Sequence, residues 1–362
     1  MKAKKLFAMI LGISMTAGLL SGCGNSSTSR PEAPEETLQE SATDSEPSPE
    51  ETSSSPETKT LTLAATLGNS TSIIQTTTTM SEKVKEETGG AIDIQVFPDS
   101  TLGGQRDFLE GVSMGTVDMC IIAAGALEDF YDPYALYSVP FLFRDAEHTY
   151  EFFKGETSQS INDKFLELTG MRIIGLYNEG FRQVWTKDTP IHALSDFSGL
   201  KLCVPEVTLY INMFSALGCN ATVLPVGDLY TGLQTGLVDG MELPIGSVYG
   251  ASTYEQTKYC TMTNHIGGAM FLLVNENVWQ SLSEGERDCI LKYVEEASAQ
   301  DRQNLENETD NYKTEIEATG VEFIELADEA RVELVDAMSS VVSELYGEIL
   351  DEAMLDEIRS MK

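Results

Sequence analysis

The chain has 362 residues, 58 acidic and 23 basic side chains, and a formal charge of −35. A surface this acidic repels phosphate backbones, which excludes nucleic acid as a partner. Six cysteines without metal-type spacing and three mutually distant histidines, His148, His192 and His265, argue against a metal site and leave no cofactor to expect.

Lys2, Lys4 and Lys5 precede an apolar run, Leu6–Leu20, that is short for a bilayer span, and Leu20-Ser21-Gly22-Cys23 follows. This reads as a lipoprotein signal over residues 1–22, with Cys23 lipidated and anchoring the protein to the membrane facing outside the cytoplasm. Residues 23–59 are rich in Ser, Pro and Glu and form an acidic, disordered tether. Thr60–Ala65 alternates as a strand, Ile73–Glu87 reads as a helix stopped by Gly89-Gly90, and Ile92–Phe97 is a strand stopped by Pro98. A helix at 104–114, a strand at 117–123 and a helix over Ala146–Phe153 come next, and strand Arg172–Leu176 then leads toward a second lobe. There Leu200–Val204, 208–217, 221–224, 227–235 and 238–242 repeat the alternation, and Met270–Val274 returns to the first lobe. Ser283 with Glu286 three residues on forms a capping box for a long helix, Glu284 to about Ala318, and Val332–Ile349 is a further amphipathic helix.

Alternating strands and helices imply largely parallel sheets covered by helices. The pattern also echoes itself, since DFLEGVSMGTVDM at 107–119 and LYTGLQTGLVDGMELP at 229–244 each end a helix in glycine before a strand. Two similar α/β lobes follow, rather than one enzyme domain. Cys120 and Cys260 lie in apolar strand-like runs as small hydrophobes, and a Cys203–Cys219 disulfide is an open alternative.

Six stretches carry a resemblance: FPDSTLGG (97–104), SVPFLFRDAEH (138–148), EGFRQVW (179–185), GLKLCVPE (199–206), QTGLVDGMELP (234–244) and TNHIGG (263–268). In order and spacing the chain resembles the substrate-binding proteins of tripartite ATP-independent periplasmic (TRAP) transporters. The resemblance implies a two-lobed α/β fold like a type II periplasmic binding protein, with hinge strands and a long helix crossing both lobes. It assigns 60–179 and 268–308 to lobe I, 180–267 and 309–330 to lobe II, and 331–362 to helices packed on the lobes. It further implies a monomer that closes on a small-molecule solute and hands it to the small and large membrane permease subunits.

Ligands in open α/β sheets gather at the carboxyl ends of strands, which puts loops 66–72, 177–185, 203–208 and 242–247 around the cleft. Thr66 and Ser72 stand in the first of these loops, and Arg182 offers a fork that matches a carboxylate, unless it pairs with Glu179 or Asp188. Tyr177, Phe181, Trp185 and Tyr210 wall the pocket or pack the core, and Glu206 adds an acceptor or faces solvent. The sequence departs from the family at Cys203, where arginine usually clamps the substrate carboxylate, and at Leu243, where asparagine is common. Those departures favour a monocarboxylate or a weakly charged or neutral solute over a diacid. No catalytic motif is present; a secreted lipoprotein hydrolase of esters or glycosides and a ligand-sensing lipoprotein remain the alternatives to transport.

Overall fold

The computed structural model describes residues 58–350 and 352–361. The signal segment, the lipidation site Cys23 and nearly all of the tether lie outside the described residues. Along the chain, β1 (Lys59–Ala65), α1 (Ser72–Glu87), β2 (Ile92–Phe97), α2 (Gln105–Met114) and β3 (Met119–Ala123) build the first lobe. Helices α3 (Ala146–Lys154) and α4 (Glu156–Thr169) precede a 16-residue strand, β4 (Met171–Thr186). The second lobe contains β5 (Lys201–Val204), α5 (Thr208–Ala216), β6 (Asn220–Val223), α6 (Leu229–Thr235), β7 (Gly240–Pro244), α7 (Ile245–Gly250) and β8 (Tyr259–Met262). Then come β9 (Gly267–Asn275), α8 (Glu276–Ser281), α9 (Glu284–Ala318), β10 (Glu322–Glu325), α10 (Asp328–Tyr346) and α11 (Glu352–Ser360).

In lobe I the sheet order is β2-β1-β3-β9-β4, and in lobe II it continues β4-β7-β5-β6, with β8 and then β10 on the other side of β4. The outer strands of each lobe pair in parallel, as alternation predicts, but β9 runs antiparallel to β3 and β4, and β4 runs antiparallel to β7 and β8. Strand β4 belongs to both sheets. It pairs with β9 as far as Phe181 opposite Gly267, and with β7 from Arg182 opposite Pro244. A register shift between Asn178 and Phe181 and a left-handed Gly180, φ 86°, let the strand turn from one sheet into the other.

Thr71 caps α1, whose Ile73, Ile74, Thr77, Met80 and Val84 are buried at helical spacing. Helix α9 starts at the expected capping box of Ser283 and Glu286 and runs 35 residues, about 52 Å at 1.5 Å per residue. Its first half, Cys289, Ile290, Val294 and Ala297, packs with α1 and one face of the lobe I sheet. Ile316, near its end, packs with Trp185, Met241 and α6 in lobe II. A third cluster covers the remaining sheet faces with α2, α5, α10 and α11. The last of these helices is pinned to lobe I where His148 Nε2 meets the Ile358 carbonyl at 2.8 Å and Arg144 donates to the Met361 carbonyl at 2.7 Å. All five described cysteines are buried and unpaired, so the Cys203–Cys219 disulfide does not form.

Candidate functional site

The lobes meet where β4 changes sheets, and Arg182 is the first residue on the lobe II side. Across the ladder Arg182 faces Pro244 and Val184 faces Glu242, so Arg182 and Glu242 lie diagonally on one sheet face. Both are buried, 5% and 1% exposed. Arg182 Nε donates to Glu242 Oε2 at 2.6 Å, and Nη2 donates to Glu242 Oε1 and to its backbone carbonyl, each at 2.8 Å. The remaining nitrogen, Nη1, is 3.6 Å from Glu179 Oε1, and the Tyr210 ring lies 5.3 Å from the guanidinium carbon.

His265, from the TNHIGG stretch, completes the cluster with Nε2 3.2 Å from Glu242 Oε2 and Nδ1 2.8 Å from Thr263 Oγ1. Burial lowers the His265 pKa against the pull of Glu242, so the neutral ring donates through Nε2 and accepts the Thr263 hydroxyl at Nδ1. Burial drives the Glu242 carboxyl up, but the Arg182 charge and the bonds from His265 and Arg182 outweigh it and hold the carboxyl below its ordinary range. Glu179 goes the other way, because burial outweighs Arg182 and the 2.7 Å bond from Ser247.

The predicted site residues are therefore not one constellation. Cys203 pairs in register with Met241, and both pack with Trp185 on the sheet face opposite Leu202, Val204 and Val184. Period-two alternation thus puts Cys203 and Arg182 on opposite sheet faces, although Glu242 and Arg182 still act electrostatically on the thiol. Trp185, fully buried, donates Nε1 to the Leu243 carbonyl at 2.9 Å, and half-buried Leu243 packs beside it. Tyr177, equally buried, lies in the lobe I core. Both aromatics are core residues rather than cleft walls, because their strand positions point them into helix-covered faces. Glu206 is exposed and bridges the lobes, 3.4 Å from Arg106 of α2. Thr66 is half-buried in the turn after β1, and Ser72, buried at the start of α1, accepts from Asn304 at 3.3 Å.

Two other cations that could have replaced the family arginine are engaged elsewhere. Lys201 donates to the Gly236 carbonyl at 2.7 Å and pairs with Asp239, while Arg144 binds the C-terminal carbonyls. Glu242 and His265 escaped the sequence reading although both lie in motifs it singled out; a buried carboxylate beside a strand-borne arginine was the available signal. Among the described residues no group of three His, Cys, Asp or Glu is placed to hold a metal, and no helix is long and apolar enough to cross a membrane.

Two α/β lobes sharing a continuous crossing strand, a lobe-spanning helix and a polar cluster at the crossing define the class of two-lobed solute-binding proteins. The chain belongs to the bacterial extracellular solute-binding protein family 7, whose profile matches residues 63–348. It is 30% identical over 264 residues to a solute-binding protein of Roseobacter denitrificans, covering 73% of this chain and 81% of that one. It is 27% identical to the 2,3-diketo-L-gulonate-binding periplasmic protein of Escherichia coli, covering 73% and 79%. A crystal structure of a TRAP periplasmic solute-binding protein from Roseobacter denitrificans with bound L-galactonate superposes with a TM-score of 0.78 at 27% identity, covering 84% of this chain and all of that one. The protein is a TRAP solute-binding component, extracytoplasmic by family, and a transport binding protein rather than an enzyme.

Proposed function

We propose that the protein captures a monocarboxylate or a weakly charged or neutral organic solute between its lobes and delivers it to the small and large TRAP permease subunits. The Escherichia coli relative is a 2,3-diketo-L-gulonate-binding protein and the Roseobacter denitrificans structure holds L-galactonate, which supports a small oxygenated solute. One observation carries the narrower choice. The Arg182 fork is filled by Glu242, with Glu179 against its remaining nitrogen, and the position where the family usually has a second arginine holds Cys203. A diacid closed into such a cleft leaves an under-compensated charge in a low-dielectric space, which is costly. Loops 66–72 and 203–208 remain the proposed contacts, through Thr66, Ser72 and the neighbourhood of Glu206.

Thermal-shift and calorimetric titration against matched pairs test this, for example galacturonate with galactose and galactonate with galactitol, beside succinate. Stabilisation by a neutral or singly charged member is expected, and micromolar succinate binding overturns it. We further propose that Cys23 is lipidated and holds a monomeric binding domain at the outer face of the membrane; fatty-acid labelling lost in Cys23→Ala supports this, and equal labelling of both proteins sinks it.

A further inference from the structure

We infer that Asp301 is a proton-sensitive tie between the lobe-spanning helix and the crossing strand, and that ionising it loosens the hinge. Its consequence for solute capture rests on the function proposed above, but the tie itself belongs to the solute-free fold. Asp301 lies midway along α9 with no exposed surface. Its Oδ2 accepts the Asn178 backbone N–H at 3.0 Å, two residues before the left-handed Gly180 where β4 changes sheets. One turn earlier Ser298 donates to the Leu176 carbonyl, so two side chains on one helix face hold alternate residues of the strand.

The second oxygen, Asp301 Oδ1, has no hydrogen-bond partner, and a cavity of about 30 Å³ beside it is lined by Ser72, Asn178, Glu179, Ser247 and Glu308. That volume holds about one water-sized group. No cation pairs with Asp301 among the described residues. On its own helix Arg302 stacks 3.4 Å from the Tyr150 ring centroid and pairs with Glu147, so its pull on Asp301 acts only at a distance, and Glu308 opposes it with negative charge. On β4, Glu179 is occupied by Arg182 and Ser247, and Tyr177 is a buried neutral phenol; α1 contributes only the Ser72 hydroxyl.

An ionised carboxylate here is a lone buried charge, relieved by admitting water between α9 and β4. The protonated acid stays packed. Burial accordingly pushes the Asp301 carboxyl up to about 7, against the opposing Asn178 amide and Ser72 hydroxyl. The packed form therefore binds a proton more tightly than a hydrated one. Its stability is fully present below the ordinary aspartate pKa of about 4 and is lost as pH rises to about 7, with opening growing about tenfold per pH unit between these values and levelling above.

Amide NMR on solute-free protein tests the tie. The Asn178 signal should titrate with a midpoint near 7, and hydrogen-exchange protection over Asn178–Arg182, corrected for intrinsic rates, should fall about tenfold per unit from pH 5 to 7. Asp301→Asn should abolish both dependences. Glu128→Gln should leave them intact, although burial pushes Glu128 to about 7 as well, because Glu128 contacts α5 at the Leu209 amide. Should Asp301→Asn fail to fold, Ser72→Ala serves instead, and removing its hydroxyl should raise the midpoint. An Asn178 signal flat from pH 5.5 to 8.5, or a titration that persists in Asp301→Asn or stays unmoved in Ser72→Ala, overturns the inference. None of these measurements uses a solute, so failure to find one leaves the result standing.

Discussion

Arg182→Met tests whether this arginine holds the fold or waits for a solute. The substitution keeps the stem and strips Glu242 of three hydrogen bonds, leaving a fully buried carboxylate with His265 alone. Removing one partner of a buried pair costs about 3–5 kcal/mol. With an unfolding entropy of about 2.1 cal/mol/K per residue over roughly 300 ordered residues, that lowers Tm by about 5–8 °C. Arg182→Met/Glu242→Leu should recover part of the loss, with a coupling energy above about 2 kcal/mol, since it leaves no orphaned charge. The sign with pH follows from the depressed Glu242 carboxyl. Its contribution is present above the ordinary glutamate range, near 4.3, and is lost as pH falls through the lower folded value, so the deficit of the single variant shrinks in acid. Differential scanning calorimetry at pH 7 and pH 4 measures both effects. A Tm for Arg182→Met within 1 °C of wild type at pH 7 refutes the reasoning and returns the fork to the solute.

Gly268→Ala should destabilise by about 1–3 kcal/mol in urea, since its Cβ would sit 2.5 Å from the Gly180 carbonyl oxygen and the Glu179 side chain; wild-type stability would mean the strands do not approach so closely. Ser283→Ala should cost about 1 kcal/mol by unmaking the cap of α9, read as a lower urea midpoint at unchanged slope. In Cys23→Ser protein the five remaining thiols should resist a disulfide reagent at pH 8 until urea is added, because all five are buried and burial pushes Cys120 to about 12 and Cys203 to about 11; fast reaction of more than one equivalent contradicts the burial.

Elements whose information is local were legible: the capping box at Ser283, the α1 stripe ended by Gly89, and the alternation that gave two lobes. Strand β4 was read only to Leu176, because the glycine and asparagine that steer the crossing look like a loop in sequence. Helix α4 went unread between two better-marked elements. The pairing of Arg182 is not local. Glu179 and Asp188 were visible candidates for Arg182 because they are near in sequence, whereas Glu242 is sixty residues away and meets it only through the β4–β7 register. The same register decides that Cys203 and Arg182 occupy opposite faces, which no pattern within GLKLCVPE reveals.

Strand order also imposes a timetable. In lobe I, β9 lies between β3 and β4, yet it is the ninth strand in sequence and ends at Asn275. A nascent chain shorter than that leaves two interior ladders open, each a row of unpaired amides and carbonyls. The lobe I strands are all present once β9 ends at Asn275, whereas the β8–β10 pairing of lobe II waits for Glu322–Glu325, and β4 supplies backbone to both sheets. Assembly is therefore dominated by distant pairings, a slow regime in which unfinished chains are prone to stick to one another. Premature termination anywhere before residue 275 should yield an aggregate rather than a working first lobe.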